Sequence, residues 1–251
     1  MNNPRLRFIL IAILLITTPV LTEAADWRIK PIRIDLNARA KNGAVTVINS
    51  SDHSITFQVN ATLWTQDASS KDLFSPTEDL IFFPHILTVE PHKERIIRAG
   101  VKVPATDTEK TYRLFVEEIP SAQDASGTKI NVKVRFGIPV FVTPLEPQRS
   151  MEASKLSLNN GLLSATLLNT GNSHTRPVSL SAVGLASDGQ EVFRYKKDGW
   201  YLLTGAQRTY TIPIDANDCR KAAEIQLEVD GQYLDILEKL PAGSYSCHDG
   251  S

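Results

Sequence analysis

Histidine, serine and carboxylate side chains are the usual sources of catalytic or metal-binding chemistry, and their spacing in this sequence predicts neither. The five histidines show no paired spacing of the kind that binds zinc. Ser173 and His174 are neighbours in a polar turn, where adjacent residues seldom act as nucleophile and base. No nucleophile elbow, phosphate-binding glycine loop or dinucleotide fingerprint occurs, and the acidic residues are dispersed. We therefore expect a protein that is not an enzyme and that needs no metal or cofactor.

Residues 129–142 indicate a different chemistry, recognition through a β-strand. Apolar side chains occupy every second position and polar ones lie between them; the apolar set is Ile130, Val132, Val134, Phe136 and Ile138. This period of two is typical of a strand with one apolar face. Natural proteins usually protect a long apolar edge strand with charge, proline or a bulge. The strand is therefore either covered by its own domain or kept for a partner.

The same alternation recurs along the chain between turn residues, which predicts an all-β protein. Such a density of short strands favours two immunoglobulin-like β-sandwich domains, at residues 25–145 and 150–251. Proline at both ends of the segment 144–147 stiffens the linker, so we expect a defined angle between the domains. The expected strands are 28–36, 43–48, 54–65, 80–83, 86–89, 94–102, 111–119 and 129–142, then 154–158, 162–169, 176–185, 190–195, 199–203, 207–214, 224–229 and 232–237.

The first 24 residues have the layout of a secretory signal peptide. Arg5 and Arg7 precede an apolar run at 8–16, and small residues around Ala24 provide a cleavage site. The apolar run is too short to span a bilayer, so we expect export without membrane insertion. The net charge of −1 argues against a nucleic-acid partner, which usually requires a strongly basic domain.

The chain has two cysteines, Cys219 and Cys247. In an exported protein an even pair predicts a disulfide, and the absence of a C-x-x-C motif disfavours catalytic thiol chemistry. Closing a loop of about 29 residues should stabilise the fold by about 3–4 kcal/mol.

Two stretches carry a resemblance to a known family. Tyr112-Arg113-Leu114, ending in Glu118-Ile119-Pro120 and followed by the alternating strand and Pro144, resembles the PapD-like periplasmic pilus chaperones. The upstream segment 82–98, with two prolines around an apolar strand and an arginine, is similar to the same family. The resemblance is specific between about residues 31 and 147. It implies a boomerang-like pair of domains, the periplasm of a Gram-negative bacterium, and pilus or fimbrial subunits and an outer-membrane usher as partners.

In this family the alternating strand is lent to a subunit that lacks its last strand. The resemblance therefore implies that the five apolar side chains enter successive pockets of the subunit's groove, a form of strand addition. Five such side chains would gain about 8–15 kcal/mol gross, less the costs of ordering and association. Phe136 and Ile138 lie nearest the second domain and are also placed to pack inside their own domain.

The family also binds the subunit's C-terminal carboxylate through two basic residues in the cleft between the domains. Arg33 aligns with the first of them, and its planar fork suits bidentate binding of a carboxylate. Pro139 stands where the second, a lysine, is usual, so Arg135 or Arg98 is the expected substitute, with Lys133 a weaker candidate. An ordinary solvated strand face is the competing interpretation for Arg98 and Lys133.

Other departures predict a divergent subgroup, the archaic or alternative branch. Thr143 replaces an arginine that normally precedes Pro144. The connection 121–129 is short and the first domain has no cysteine pair, both typical of the short-loop chaperones.

We therefore expect a chaperone that caps pilus subunits and delivers them to an usher. The alternative is a structural protein, either a surface adhesin or a pilus subunit. Two full domains and a first strand already within residues 25–36 argue against it. A secreted β-sandwich hydrolase is disfavoured because no catalytic constellation is present.

Overall fold

A computed structural model describes residues 27–119, 134–240, 243 and 245–247 of the protein. Within these residues the chain forms seventeen strands and one short helix. They are β1 (Trp27–Lys30), β2 (Ile34–Leu36), β3 (Asn42–Asn49), β4 (Ile55–Gln66), β5 (Asp72–Pro76), β6 (Leu80–Phe83), β7 (Ile86–Val89), β8 (Glu94–Val101), β9 (Lys110–Ile119), β10 (Arg135–Val142), β11 (Met151–Asn159), β12 (Leu162–Asn169), β13 (Pro177–Leu185), β14 (Glu191–Asp198), β15 (Gln207–Pro213), α1 (Ala216–Lys221), β16 (Glu224–Gly231) and β17 (Ile236–Leu240).

The first ten strands form a sandwich of two sheets. One sheet has the order β1-β3-β8-β6, and the other has the order β2-β10-β9-β4-β5 with β7 paired to β4. Side chains alternate between the two faces of a strand, so about half of the side chains of each strand point into the space between the sheets. Val45, Phe57, Leu114 and Val140 are fully buried there and represent both sheets.

The free edge of β10 is the feature of this sandwich that matters most for binding. Strand β2 pairs with β10 in parallel only through Ile34–Leu36, opposite Val140–Val142. On its other side β10 pairs with β9 along its whole length. The segment 135–139 therefore has a neighbouring strand on one side only, as far as the described residues extend.

The second sandwich consists of a sheet β11-β12-β15 facing a sheet β14-β13-β16-β17. Leu167, Leu180 and Leu202 are fully buried in its core. The predicted disulfide is present: it joins Cys219 on α1 to Cys247. The two immunoglobulin-like sandwiches predicted from the sequence are thus confirmed.

Some elements differ from the sequence expectation. The expected strand 28–36 is divided into β1 and β2, which belong to different sheets. Strand β5 was not predicted, because Asp72–Pro76 is mostly exposed and shows no buried alternation. The expected strand 199–203 forms only an isolated bridge at Leu202. No helix in the described part of the chain is long and apolar enough to cross a membrane, and the expected signal peptide lies outside it.

Removing the disulfide should lower stability without changing the fold. The bond closes a loop with a sequence separation of 28 residues, so replacing Cys219 and Cys247 by serine should lower the free energy of unfolding by about 3–4 kcal/mol. Urea denaturation measures this difference. Ser154→Ala, in the same domain but outside the loop closed by the disulfide, should change the free energy of unfolding little. Equal stability of the double variant and the parent would contradict the prediction.

Candidate functional site

A small third core joins the two domains. It contains two side chains of the first domain and three of the second, all more than nine-tenths buried: Trp64, Phe141, Tyr201, Leu203 and Ala206. The side-chain amide of Gln66 donates to the carbonyl oxygen of Tyr201 and accepts from the backbone N–H of Leu203, both at 2.9 Å. Gln66 of the first domain therefore takes up backbone hydrogen-bonding groups of residues 201–203. This explains why the expected strand 199–203 does not extend a sheet.

A buried glutamate–histidine pair forms a second contact between the domains. Glu109 Oε2 accepts from the backbone N–H of His174 at 2.8 Å and lies 2.7 Å from Nδ1 of the same residue. The His174 and Glu109 side chains are 1% and 0% exposed. The imidazole also stacks on Phe141, with ring centres 3.6 Å apart. His174 therefore joins the domains.

Arg33 lies beside this interdomain core. It directly precedes β2, and since Ile34 pairs with Val140, Arg33 reaches the level of Pro139 on β10. Its Nε donates to Asp35 Oδ2 at 2.8 Å, and its side chain is 29% exposed. Burial lowers the pKa of Arg33, but the charge and hydrogen bond of Asp35 together with nearby Tyr233 and Tyr201 raise it by more, and the net shift is upward. This guanidinium is charged and partly accessible.

Arg113 is the basic residue at the same level on the next strand, because it pairs with Pro139 across β9 and β10. It is 7% exposed, and its guanidinium carbon lies 3.7 Å from the ring centre of Trp64. One amino group donates to Gly137 O at 2.9 Å, whereas the buried Nε has no hydrogen-bond partner among the described residues. Burial lowers the pKa of Arg113, and the attraction of Asp72 offsets only part of that shift.

Arg113 is part of a motif recognised in the sequence, but it was not among the residues predicted to bind the carboxylate. Its signal was a single charged residue within the run from Thr111 to Val116, which is buried throughout. A buried arginine needs a partner, so a charged residue at such a position indicates a site.

The structure separates the two expected substitutes from Arg33, and both assignments are corrected. Arg135 lies four residues before Pro139 along β10, ~13 Å away at ~3.3 Å per residue. It forms an ion pair with Glu117 at 3.5 Å and lies 3.7 Å from the ring centre of Phe115. Arg98 belongs to β8 in the opposite sheet, where it is exposed and pairs with Ala44 and Phe83. Neither stands level with Arg33 on a strand next to β10. Lys133 lies outside the described residues.

The expected groove-filling residues lie in different environments. Ile130 and Val132 lie outside the described residues. Val134 packs partly against the core of the first domain, and Phe136 is 39% exposed beside the ring of Trp27, with centres 4.8 Å apart. Ile138 is 3% exposed inside that core, which corrects its assignment, because a side chain buried in its own domain is not free to fill a partner's pocket.

Aromatic side chains cover the sheet beside the free edge of β10 and form an apolar wall. Phe115 packs against Gly137 so closely that a Cβ there would lie 2.9 Å from its ring, so glycine is required for this contact. Phe74 meets Phe115 edge-on at 5.4 Å and is 47% exposed. The cleft thus combines an open strand edge, an apolar wall and two arginines. This combination suits an extended peptide that ends in a carboxylate. The described residues contain no cluster of potential metal ligands.

Comparison with known proteins connects this cleft to one class of protein. Residues 27–148 match the family model described as pili and flagellar-assembly chaperone, PapD N-terminal domain. A search of curated protein sequences found no match.

Solved structures share the fold over both domains. A chain of the CsuC–CsuE chaperone–tip adhesion subunit pre-assembly complex, from the archaic chaperone-usher Csu pili of Acinetobacter baumannii, is 21% identical with a TM-score of 0.56, covering 86% of this chain and 99% of that chain. The Pseudomonas aeruginosa CupB2 chaperone is 15% identical with a TM-score of 0.53, covering 86% and 100%. The E. coli chaperone DraB is 17% identical with a TM-score of 0.54, covering 85% and 98%.

The interdomain pair gives a prediction about stability. Glu109→Ala should lower the free energy of unfolding by at least ~2 kcal/mol, because two buried donors of His174 lose their acceptor. Glu109→Gln keeps one acceptor oxygen and should cost less. Glu152→Ala, which removes an exposed carboxylate from the second domain, is the control. Calorimetry measures all three, and unchanged unfolding of Glu109→Ala would disprove the role of the pair.

Proposed function

We propose that this chain is a pilus chaperone, and so not an enzyme, like the proteins whose N-terminal domain model matches residues 27–148, and that it caps pilus subunits by donor-strand complementation. A chaperone role follows from the family. The capping mechanism, the residues that carry it and the transfer of the subunit to an outer-membrane usher are our proposal. The family places its members in the periplasm, and the expected signal peptide would export this chain there.

The free edge of β10 is the observation that carries the proposal. Only β9 pairs with the described segment 135–139, so no other described strand uses its outer edge, although Pro139 has no N–H to donate there and Gly137 O already accepts one hydrogen bond from Arg113. An open edge is normally a risk of aggregation, and proteins keep one where it serves binding. Backbone hydrogen bonds along this edge would hold the subunit, and the alternating side chains would set its register.

The side chains proposed to enter the groove are Ile130, Val132, Val134 and Phe136. Ile138 is left out because it fills the core of its own domain. Each apolar side chain that becomes fully buried gains ~1.5–3 kcal/mol gross, from which the ordering and association costs are subtracted. The exposed part of Phe136 is apolar surface of this kind.

Arg33 and Arg113 are proposed to bind the subunit's terminal carboxylate. Arg113 on β9 and Arg33, just before β2, stand level with Pro139 on either side of β10, so Arg113 would take the place of the lysine that this family has at Pro139. Arg33 is partly accessible, and Arg113 has a buried Nε without a partner. Charge-assisted hydrogen bonds from two planar guanidinium groups would fix the chain end in the cleft.

Arg33→Ala should weaken subunit capture about a hundredfold, because a bidentate pair of charge-assisted hydrogen bonds is lost. Co-expression with a pilus subunit from the same bacterium, followed by purification of the complex, measures capture. Arg98→Ala removes the same charge from the opposite sheet and should capture normally.

Arg113→Lys separates charge from geometry in the same assay. It retains the positive charge but loses the planar fork, so capture should fall while the protein stays folded. If Arg33→Ala captured subunits as well as the parent did, the anchor would be wrong. If the parent captured no authentic subunit and the subunits survived without it, capping itself would be wrong.

Val132→Glu should abolish capture, since it would force a carboxylate into an apolar pocket at a cost of several kcal/mol. Asn131→Glu adds the same charge to the polar face of the strand and is the matched control. Native mass spectrometry of co-expressed proteins gives the fraction of complex. Equal loss in both variants would indicate that charge on this segment matters and that the assigned face does not.

A further inference from the structure

The backbone groups along β10 divide into two sets, one facing β9 and the other facing the free edge. The backbone N–H of Glu118 donates to the carbonyl oxygen of Val134 at 3.2 Å, so these two residues form a hydrogen-bonded pair. Such pairs alternate with non-hydrogen-bonded pairs along an antiparallel ladder, and the register of β10 on β9 has no bulge. The backbone N–H and C=O groups of Arg135 and Gly137, and the C=O of Pro139, therefore face away from β9.

Gly137 provides the last backbone donor of this outward set within β10's open segment. Pro139 has no N–H, so the next outward position offers only a carbonyl oxygen. The outward carbonyl oxygen of Gly137 already accepts from an amino group of Arg113 at 2.9 Å, which brings that guanidinium to the free edge. A strand added here could bond fully to Arg135 and to the N–H of Gly137. Beyond Gly137 N–H it would find no further donor of the β10 backbone in this segment.

Strand β2 closes the same edge immediately afterwards. It pairs in parallel with Val140–Val142, and the backbone N–H of Thr143 donates to Leu36 O on that side at 2.8 Å. Arg33 directly precedes β2 and stands level with Pro139. A strand added along 135–137 would therefore meet Arg33 and then β2 in line with itself. The free edge is thus a binding site with one closed end, and the closed end lies at Pro139.

We propose that Pro139 is a specificity-determining residue for subunit capture, because it ends the hydrogen-bond ladder and leaves Gly137 N–H as the last backbone donor, which binds the terminal carboxyl group of the captured chain. This inference rests on the proposed function, since it concerns the same captured chain. A carboxylate accepts hydrogen bonds and donates none, so it suits an end that offers the N–H of Gly137 and the guanidinium of Arg113. A chain that continued by two residues would place a carbonyl oxygen opposite Pro139, where no donor exists. Pro139 therefore fixes the register of the captured strand.

Two forms of one pilus subunit test the proposal on the full-length protein. The first is an authentic subunit from the same bacterium with its natural C-terminus, and the second carries two additional glycines at that end. An extension of two residues keeps every side chain of the strand on its face and reaches the level of Pro139. Both forms are co-expressed with the parent, and native mass spectrometry gives the ratio of the two complexes. The parent should favour the natural end at least about tenfold, because the extended chain loses a charge-assisted contact and a backbone hydrogen bond.

Pro139→Ala isolates the contribution of the missing N–H. The variant gains a backbone donor at the closed end, so the preference for the natural end should fall about fivefold relative to the parent, as expected for one backbone hydrogen bond. A merely structural role of Pro139 would change the total amount of complex and leave the ratio as it is. Pro91→Ala makes the same exchange in the turn before β8 and should keep the parent's ratio. Circular dichroism shows whether each variant is folded.

Amide hydrogen exchange of the parent protein is a second measurement and needs no variant. In the free protein the outward N–H of Gly137 has no described strand beyond it and should exchange rapidly. In the complex with the natural subunit its exchange, followed by NMR, should slow at least about tenfold. Equal exchange in the free and bound protein would overturn the assignment of Gly137 as the terminal donor.

The outcomes separate this inference from the proposed function. If the parent captures both subunit forms equally, or if Pro139→Ala keeps the full preference of the parent, the role of Pro139 is wrong and capping still stands. An equal loss of preference in Pro91→Ala would also overturn the assignment to position 139. If neither subunit form is captured, capping itself is wrong and this inference fails with it. If Pro139→Ala does not fold, the parent's own ratio and the exchange at Gly137 decide.

Discussion

The burial of Tyr201 between the domains is the contact on which the binding cleft depends. Its ring centre lies 5.5 Å from those of both Trp64 and Phe141, which belong to the first domain. Apolar burial of three aromatic rings provides a large, rigid contact at the junction. The Gln66 amide and the Glu109–His174 pair then fix the orientation through directional hydrogen bonds. Since the cleft is lined by residues of both domains, its geometry is set by this junction.

The same aromatic residues hold the positively charged guanidinium group of Arg113 at a site that is largely shielded from water. Arg113 lies against Trp64 and is almost fully buried. Desolvating a cation costs free energy, and its ring contact and its single hydrogen bond to Gly137 compensate only in part. A carboxylate that enters would supply the missing partner. The protein therefore keeps an unfavourable arrangement in its free state that binding can relieve, which is typical of a preorganised site.

The open edge of β10 is a second unfavourable feature that binding would relieve. Most edge strands are short, charged or covered. Here the short parallel pairing with β2 covers only Val140–Val142, and the adjoining segment continues an apolar alternation. The match of residues 27–148 to the pilus-chaperone model favours a chaperone over the alternative of a structural adhesin or subunit, and the proposed capping would use this open edge.

Local patterns in the sequence were sufficient to predict the fold class and the disulfide. Alternation of apolar residues depends only on the two faces of a strand, and the two cysteines allow only one intramolecular pairing. The resemblance carried by residues 82–98 and 112–120 led to the same family whose N-terminal domain model matches residues 27–148. Arg33 was assigned from the resemblance as well, because KPIRIDL aligns with the first strand of that family.

Only the tertiary structure determined which side chains become neighbours across strands and domains. Arg98 and Arg135 matched the expected residue type, but the first lies on the opposite sheet and the second lies too far along β10. Arg113 reaches the level of Arg33 only through the register of three strands. Sequence periodicity determines which face of a strand a residue occupies, whereas strand register and domain packing determine which residues that face contacts.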